Sequence, residues 1–381
     1  MQYSSEYDVD GVNDPFLQTA ILRYLFELCD DEIIREDFCA LLAQVTVNLP
    51  GRETGKSNYA NTANSCNAIL FECVKVIMVI DAPATLKKIG ITVLSNFLAF
   101  KDINSKYISL RSLSLAAQHH KKAVQKHLDS IIECLNDTDI SIRRMILEIL
   151  KMVTDESNIA QVSRTLFNDM LSCSPELLKD MTPSVCKIIE LNAPTKAWYF
   201  DSLLRVMVIG GNYIEDETVN SLINLISNTA QLQSYAMYKL YFAAVDNQNQ
   251  EGLIRTLFFL LGEHSHLLIT GKDPVSGQAL PKVGEDKIVS LIIDLAKEAN
   301  SRQVRQIALN SLLKIERKMT DKNNRAAIKQ FVQQQTKSED YESQTRAFEY
   351  GHLLEPEWSE WKEEIFQPMP APDPSLISIS E

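Results

Sequence analysis

One stretch of this sequence resembles a ligand-binding motif: Gly51-Arg52-Glu53-Thr54-Gly55-Lys56-Ser57. A phosphate-cradling loop needs four residues between its glycines, then Lys and Ser or Thr, after a buried strand and before a helix. Here three residues separate the glycines, Pro50 stands where the first glycine belongs, and the following Asn-Tyr-Ala-Asn-Thr-Ala-Asn-Ser is a poor helix opening. The spacing excludes nucleotide hydrolysis through Lys56 and Ser57 and predicts a surface loop. The histidines are His119, His120, His127, His264, His266 and His352. His120 and His127 could share a helix face, but neither has a Cys or carboxylate beside it at a ligand spacing. His264 and His266, two apart on a helix, point away from one another, and solvated surface histidine is expected at all six positions. Cys66 and Cys73 share a helix face and read as small core residues. No Gly-x-Ser-x-Gly elbow or Cys/His arrangement offers a nucleophile. The sequence therefore predicts no catalytic residue, no cofactor and no metal.

Charge offers a candidate surface. Fifty acidic residues against 38 basic ones leave a net charge of −12, which excludes nucleic acid as the main ligand. Between Lys87 and Lys151 the balance reverses, with 11 bases and six acids. Lys121, Lys122, Lys126 and Arg144 in this stretch are candidates for contact with an acidic partner or anionic lipid headgroups. Ordinary solvated helix faces are the competing interpretation.

The elements that must position these residues are helices. Apolar residues recur at i, i+3, i+4 and i+7, as in Phe16, Leu17, Ala20, Ile21, Tyr24, Leu25 and Leu28, after an Asn13-Asp14-Pro15 cap. Similar stripes predict helices over 67–80, 83–99, 105–117, 124–135, 141–153 and 159–171. Others are predicted over 183–191, 197–209, 216–227, 232–245, 250–261, 286–300, 301–318 and 323–335. No alternating strand competes. No run reaches about 18 apolar residues, the length of a membrane-spanning helix. Seven cysteines without a CxxC pair suggest reduced thiols, and the polar start, 1–10, lacks the pattern of a secretory signal.

A signature repeats along these helices. Leu98, Asp102, Lys106, Leu110 and Leu113 recur as Leu135, Asp139, Arg143, Leu147 and Leu150, then as Leu225, Thr229, Gln233, Met237 and Leu240. Ser301, Arg305, Leu309 and Leu312 form a shorter copy. Spacings near 37–45 residues match HEAT and armadillo repeats, so the expected fold is an all-α, HEAT/armadillo-like α-solenoid of paired helices. Asp102 and Asp139 should cap the second helix of a pair, with Arg143 and Arg305 as structural residues of the repeat turn. The expected organisation is a leading extended segment 1–12, a solenoid 13–354 with inserted loops at about 49–65 and 271–285, and a Pro-rich acidic tail 355–381. That tail holds five of the 13 prolines. Its Leu376-Ile377-Ser378-Ile379-Ser380 approaches the short leucine-rich box bound by clathrin, without the closing acid.

Several strings occur in the order found in one family. Gly11-Val12-Asn13-Asp14-Pro15-Phe16-Leu17-Gln18 comes first, followed by Asn67-Ala68-Ile69-Leu70-Phe71-Glu72 and Asp137-Thr138-Asp139-Ile140-Ser141-Ile142-Arg143-Arg144. Ala193-Pro194-Thr195-Lys196-Ala197-Trp198, Gly210-Gly211-Asn212-Tyr213-Ile214 and Arg346-Ala347-Phe348-Glu349-Tyr350 continue the series. Together they resemble the trunk of the adaptins, the large subunits of clathrin adaptor complexes, and among these the gamma type. The resemblance runs from about residue 11 to about 370 and corresponds to the C-terminal part of the trunk, with the 49–65 loop longer than usual. It implies a non-enzymatic scaffold beside a second large subunit, a medium and a small subunit, with peripheral contact to anionic membrane and only indirect contact to clathrin. The implied location is cytoplasmic, on the Golgi, endosome and coated-vesicle membrane face. Alpha or epsilon adaptin, or an unrelated nuclear-transport or phosphatase scaffold of HEAT repeats, are the alternatives.

Overall fold

A computed structural model describes residues 5–9, 12–29, 32–49, 60–272, 277, 279–358, 361 and 364–367. Among them are seventeen α-helices and no strand beyond two isolated bridges, Val9–Val12 and Lys272–Ala279. The chain divides into two compact units, Met1–Asp169 and Met170–Glu381.

The first unit contains α1 (Pro15–Glu27), α2 (Glu32–Asn48), α3 (Ala60–Val79), α4 (Ala84–Phe97), α5 (Ile103–Gln125), α6 (Leu128–Glu133) and α7 (Ile140–Val153). The boundary falls within α8 (Ile159–Ser172). α1 packs on α3, α3 on α4, α4 on α5 and α5 on α7. α1 forms as expected, with the Asp14 carboxylate accepting the Leu17 N–H at 3.0 Å, yet its buried face is not the predicted stripe. Leu22 is buried, with Leu25 and Phe26 against the core, while Phe16 and Tyr24 are 78% and 74% exposed. α2 lies outside the predicted set because Ile33, Ile34, Leu41 and Val47 on its exposed side blur the stripe made by Phe38, Cys39 and Leu42. The predicted loop 49–65 is shorter than expected, since α3 begins at Ala60. Its opening, Ala-Asn-Thr-Ala-Asn-Ser, is helical because Ala63 and Cys66 are buried in the core. The Gly51–Ser57 motif lies outside the described residues.

The second unit contains α9 (Pro175–Asn192), α10 (Lys196–Gly210), α11 (Asp216–Asn228), α12 (Ala230–Asp246) and α13 (Glu251–Thr270). After these come α14 (Glu285–Glu298), α15 (Arg302–Glu316), α16 (Lys322–Gln335) and α17 (Tyr341–Leu353). α11 packs on α13, α13 on α15 and α15 on α17, while α14 packs on α16. Contacts between every second helix make the two rows of a solenoid, in which each pair buries the apolar face of the next. α9 begins eight residues before the predicted start and keeps Pro183 inside it. The lost N–H bond is tolerated because Met181, Val185, Ile188 and Ile189 are buried on both sides of the proline. α17 escaped the periodicity because its buried face holds only Ser343 and Ala347.

Two predicted gaps are single-residue breaks instead. α5 continues through residues 118–125 with one non-helical residue, His120 at φ −127°. α13 continues beyond Leu261 with a break at His264 and ends at Gly271, which has φ 62°. That left-handed cap suits glycine, and a Cβ there would stand 2.8 Å from the Leu280 carbonyl oxygen. The loop following it is closed by Leu280 donating to the Gly271 carbonyl at 2.9 Å and Val283 to the Leu268 carbonyl at 3.0 Å. After α17, a short 3-10 turn spans Pro356–Trp358, and residues 368–381, which include the clathrin-box-like string, lie outside the described residues.

Candidate interaction surface

The repeat turns are built from the residues that repeat in sequence. Asp102 begins α5 by accepting the Ser105 N–H at 2.9 Å and the Ser105 hydroxyl at 2.6 Å. Asp139 begins α7 by accepting the Ser141 N–H at 2.7 Å. Each cap satisfies an N–H that has no partner within its helix and contributes about 1 kcal/mol. Asp321 and Asp340 do the same for α16 and α17.

Four positions after the cap, the side chain reaches back. Gln233 Nε2 donates to the Ser227 carbonyl at 3.1 Å, Arg305 Nη1 to the Ala299 carbonyl at 3.2 Å, and Arg325 Nη2 to the Met319 carbonyl at 2.7 Å. In each case the acceptor lies six residues upstream, at or just past the end of the preceding helix. The long side chain thereby supplies a donor to a carbonyl that the ended helix leaves open.

In the first unit the same position makes ion pairs along the stack. Lys106 Nζ lies 2.7 Å from the Asp137 carboxylate. Burial pushes the Asp137 carboxyl up, but Lys106 and the backbone N–H groups of Asp139 and Thr138 outweigh it and hold it below the usual range. Arg143 pairs with Asp169 on α8, the two side chains being 17% and 10% exposed. The partner of Arg143 is thus 26 residues downstream and not in its own turn.

The cationic candidates do not form one surface. Lys121, expected to face a partner, donates its ammonium to the Thr154 carbonyl at 2.8 Å. Beside it Gln125 donates to the Val153 carbonyl at 2.8 Å, so together they close the C-terminus of α7. Lys106 and Arg143 are committed to buried pairs, and Lys151 is held by Glu148 at 3.0 Å. Lys122, Lys126 and Arg144 are exposed. Arg144 also has a partner within the protein.

The sequence missed the contribution of α4. Thr92 Oγ1 and His127 Nε2 are 3.5 Å apart, which joins α4 to the α5–α6 junction. Burial lowers the pKa of His120 and His127, and Lys87 and His119 lower the first further as Lys126 does the second. Lys87 beside His120 and Lys126 beside His127 thus put a cation next to each imidazole. His120, His127 and His264 are half-buried rather than solvated, because two of them sit at or beside helix breaks.

The break in α13 carries a buried charge that sequence spacing did not reveal. Lys318 Nζ donates to the Gly262 carbonyl at 2.7 Å and the Glu263 carbonyl at 2.6 Å, and Lys314 pairs with the Glu263 carboxylate. Burial lowers the Lys318 pKa to about 8 against the opposing pull of Glu263. Gly262 permits the approach of α15, since a Cβ there would lie 3.3 Å from Ser311 Cα. The Ser311 hydroxyl meets the Phe258 carbonyl at 2.6 Å.

Two of the buried thiols are held protonated. Burial pushes Cys73 and Cys186 up to about 12. Among the described residues no group of three or more His, Cys, Asp or Glu could hold a metal ion. One helical stretch, Asn61–Val79, is long and apolar enough to cross a membrane. Most of it is buried, with Leu70, Cys73 and Ile77 wholly enclosed, as in the core helix of a folded unit.

These packed helix pairs, joined by capped turns and inter-repeat ion pairs, define a helical-repeat protein of the α-solenoid class. The family described as "Adaptin N terminal region" matches residues 2–357, and the chain belongs to that family. It is 35% identical to "AP-1 complex subunit gamma" of Dictyostelium discoideum over 93% of this chain and 39% of that relative. It is 32% identical to "AP-1 complex subunit gamma-like 2" of Homo sapiens over 97% of this chain and 46% of that relative. The chain thus spans under half the length of these curated relatives. Among structures, a chain in a homology model of the full-length AP-3 complex in an intermediate open conformation superposes with a TM-score of 0.58. At 16% identity, over 92% of this chain and 67% of that one, this likeness establishes a shared fold.

Proposed function

We infer that the chain is a non-enzymatic scaffold subunit of a heterotetrameric clathrin adaptor complex, serving vesicle transport between the trans-Golgi network and endosomes. The observation that carries this is the match of the adaptin family across residues 2–357, with relatives named as AP-1 gamma subunits. A second large subunit, a medium and a small subunit are its partners. It works on the cytoplasmic face of Golgi, endosome and coated-vesicle membranes and meets clathrin only indirectly. The mechanism is geometric: capped turns and buried ion pairs fix each helix pair against the next, and slight repacking at these interfaces lets the scaffold change curvature. Anionic membrane is met peripherally through Lys88, Lys122 and Lys126.

Affinity capture of the tagged chain from its native cells, followed by mass spectrometry, tests this function. Recovery of a second adaptin and a medium subunit is expected. Recovery of nuclear-transport cargo or a phosphatase subunit in their place overturns it.

A further inference from the structure

An open groove of about 670 Å³ lies between α2 and α4, entirely within the first unit. Its floor is the outer side of that unit's core, where Cys39, Ala82 and Leu86 are buried and Ala43 packs against them. The walls carry small or exposed apolar side chains, Ala40 and Ile89, so the concavity has apolar depth, and no described residue fills it. A site of this size accommodates a few side chains of a partner.

The rim is acidic. Glu32, Glu36 and Asp81 line the mouth against one cation, Arg35. The same charges converge on the floor: burial pushes the Cys39 thiol up, and Arg35, Asp81, Glu36 and, from outside the lining, Lys87 also act on it. Cys39 is therefore a neutral apolar surface.

Several carboxylates elsewhere in the fold are held by a cation. Glu72 pairs with Arg23, Asp137 with Lys106, Asp169 with Arg143 and Glu263 with Lys314. Among the described residues Glu32, Glu36 and Asp81 make no ion pair and no side-chain hydrogen bond, although Glu32 and Glu36 repel one another one helical turn apart. Glu32 gains from its place in the first turn of α2; Glu36 and Asp81 have no such compensation.

We propose that the groove between α2 and α4 is a docking site for a short apolar segment of a partner protein flanked by lysine or arginine. The apolar side chains fill the space over Cys39, Ala43 and Leu86, and the flanking cations meet Glu36 and Asp81.

Fluorescence anisotropy with two labelled peptides tests the proposal: leucine and lysine at helical spacing, and the same peptide with glutamate for lysine. The full chain is expected to bind the lysine peptide at least about tenfold more tightly than the glutamate peptide, a difference of about 1.4 kcal/mol. Ala43→Trp, which fills the groove, should weaken the lysine peptide about tenfold, and so should Glu36→Gln with Asp81→Asn, whose exposed positions leave folding intact. Glu156→Lys, at an exposed turn elsewhere in the unit, should leave affinity unchanged. Equal binding of the two peptides overturns the proposal. So does an effect of Glu156→Lys matching that of the groove variants, which would mean diffuse attraction to an acidic chain. A dimer in light scattering that Ala43→Trp dissolves would assign the groove to a second copy and likewise overturn it.

Discussion

Arg143 shows how far a single side chain can serve the whole stack. It stands one helical turn after the Asp139 cap, where other repeats place a residue that reaches back to a carbonyl, yet it pairs forward with Asp169. Removing it leaves a carboxylate only 10% exposed without its cation. Arg143→Ala should therefore lower stability by about 1–3 kcal/mol in urea unfolding, whereas Lys122→Ala should stay within about 0.5 kcal/mol. Lys318 gives a pH signature. Its folded pKa of about 8 lies below the ordinary lysine value of 10.5. Between these values the unfolded chain holds more protons, so this group's contribution is full above 10.5 and is lost as pH falls toward 8. The parent protein should gain stability from pH 8 to pH 9.5 more steeply than Lys318→Met; parallel curves would show that the ammonium carries no burial penalty. The sequence made the caps Asp102 and Asp139 legible through their spacing from the following stripe. It could not show the partners of Arg143 or Lys318, which depend on residues 26 and more than 50 positions away.

At the scale of elements, 3.6-residue periodicity located most helices because burying one face against the next pair is what makes a solenoid helix stable. It failed where that face is weakly marked. α17 buries Ser343 and Ala347, and α2 exposes more large apolar residues than it buries. The periodicity predicts helix ends near His120 and His264 because a single non-helical residue shifts the stripe without stopping the helix. The Gly210-Gly211 string acquires a reason in packing. α13 starts against the 3-10 turn Gly211–Tyr213, and a Cβ on Gly252 would sit 2.8 Å from the Gly211 carbonyl oxygen. Backbone cannot yield as a side-chain tip does, so Gly252→Ala should cost about 1–3 kcal/mol in spite of alanine's higher helix propensity. An unchanged melting temperature would mean that the turn gives way freely.

For the molecule as a whole, an overall charge of −12 coexists with exposed lysines, Lys88, Lys122 and Lys126, on and beside α4 and α5. Reversing Lys88, Lys122 and Lys126 to Glu should weaken sedimentation with phosphatidylserine vesicles, and raising salt should weaken the parent's binding in the same way. Lys121 is excluded from that set because it closes α7, and its loss would confound surface charge with folding. The most direct test of the scaffold function is native mass spectrometry of the chain co-expressed with a second large adaptin and the medium and small subunits. One complex containing a single copy of each is the predicted mass. The chain remaining apart while the other three subunits associate would contradict the account.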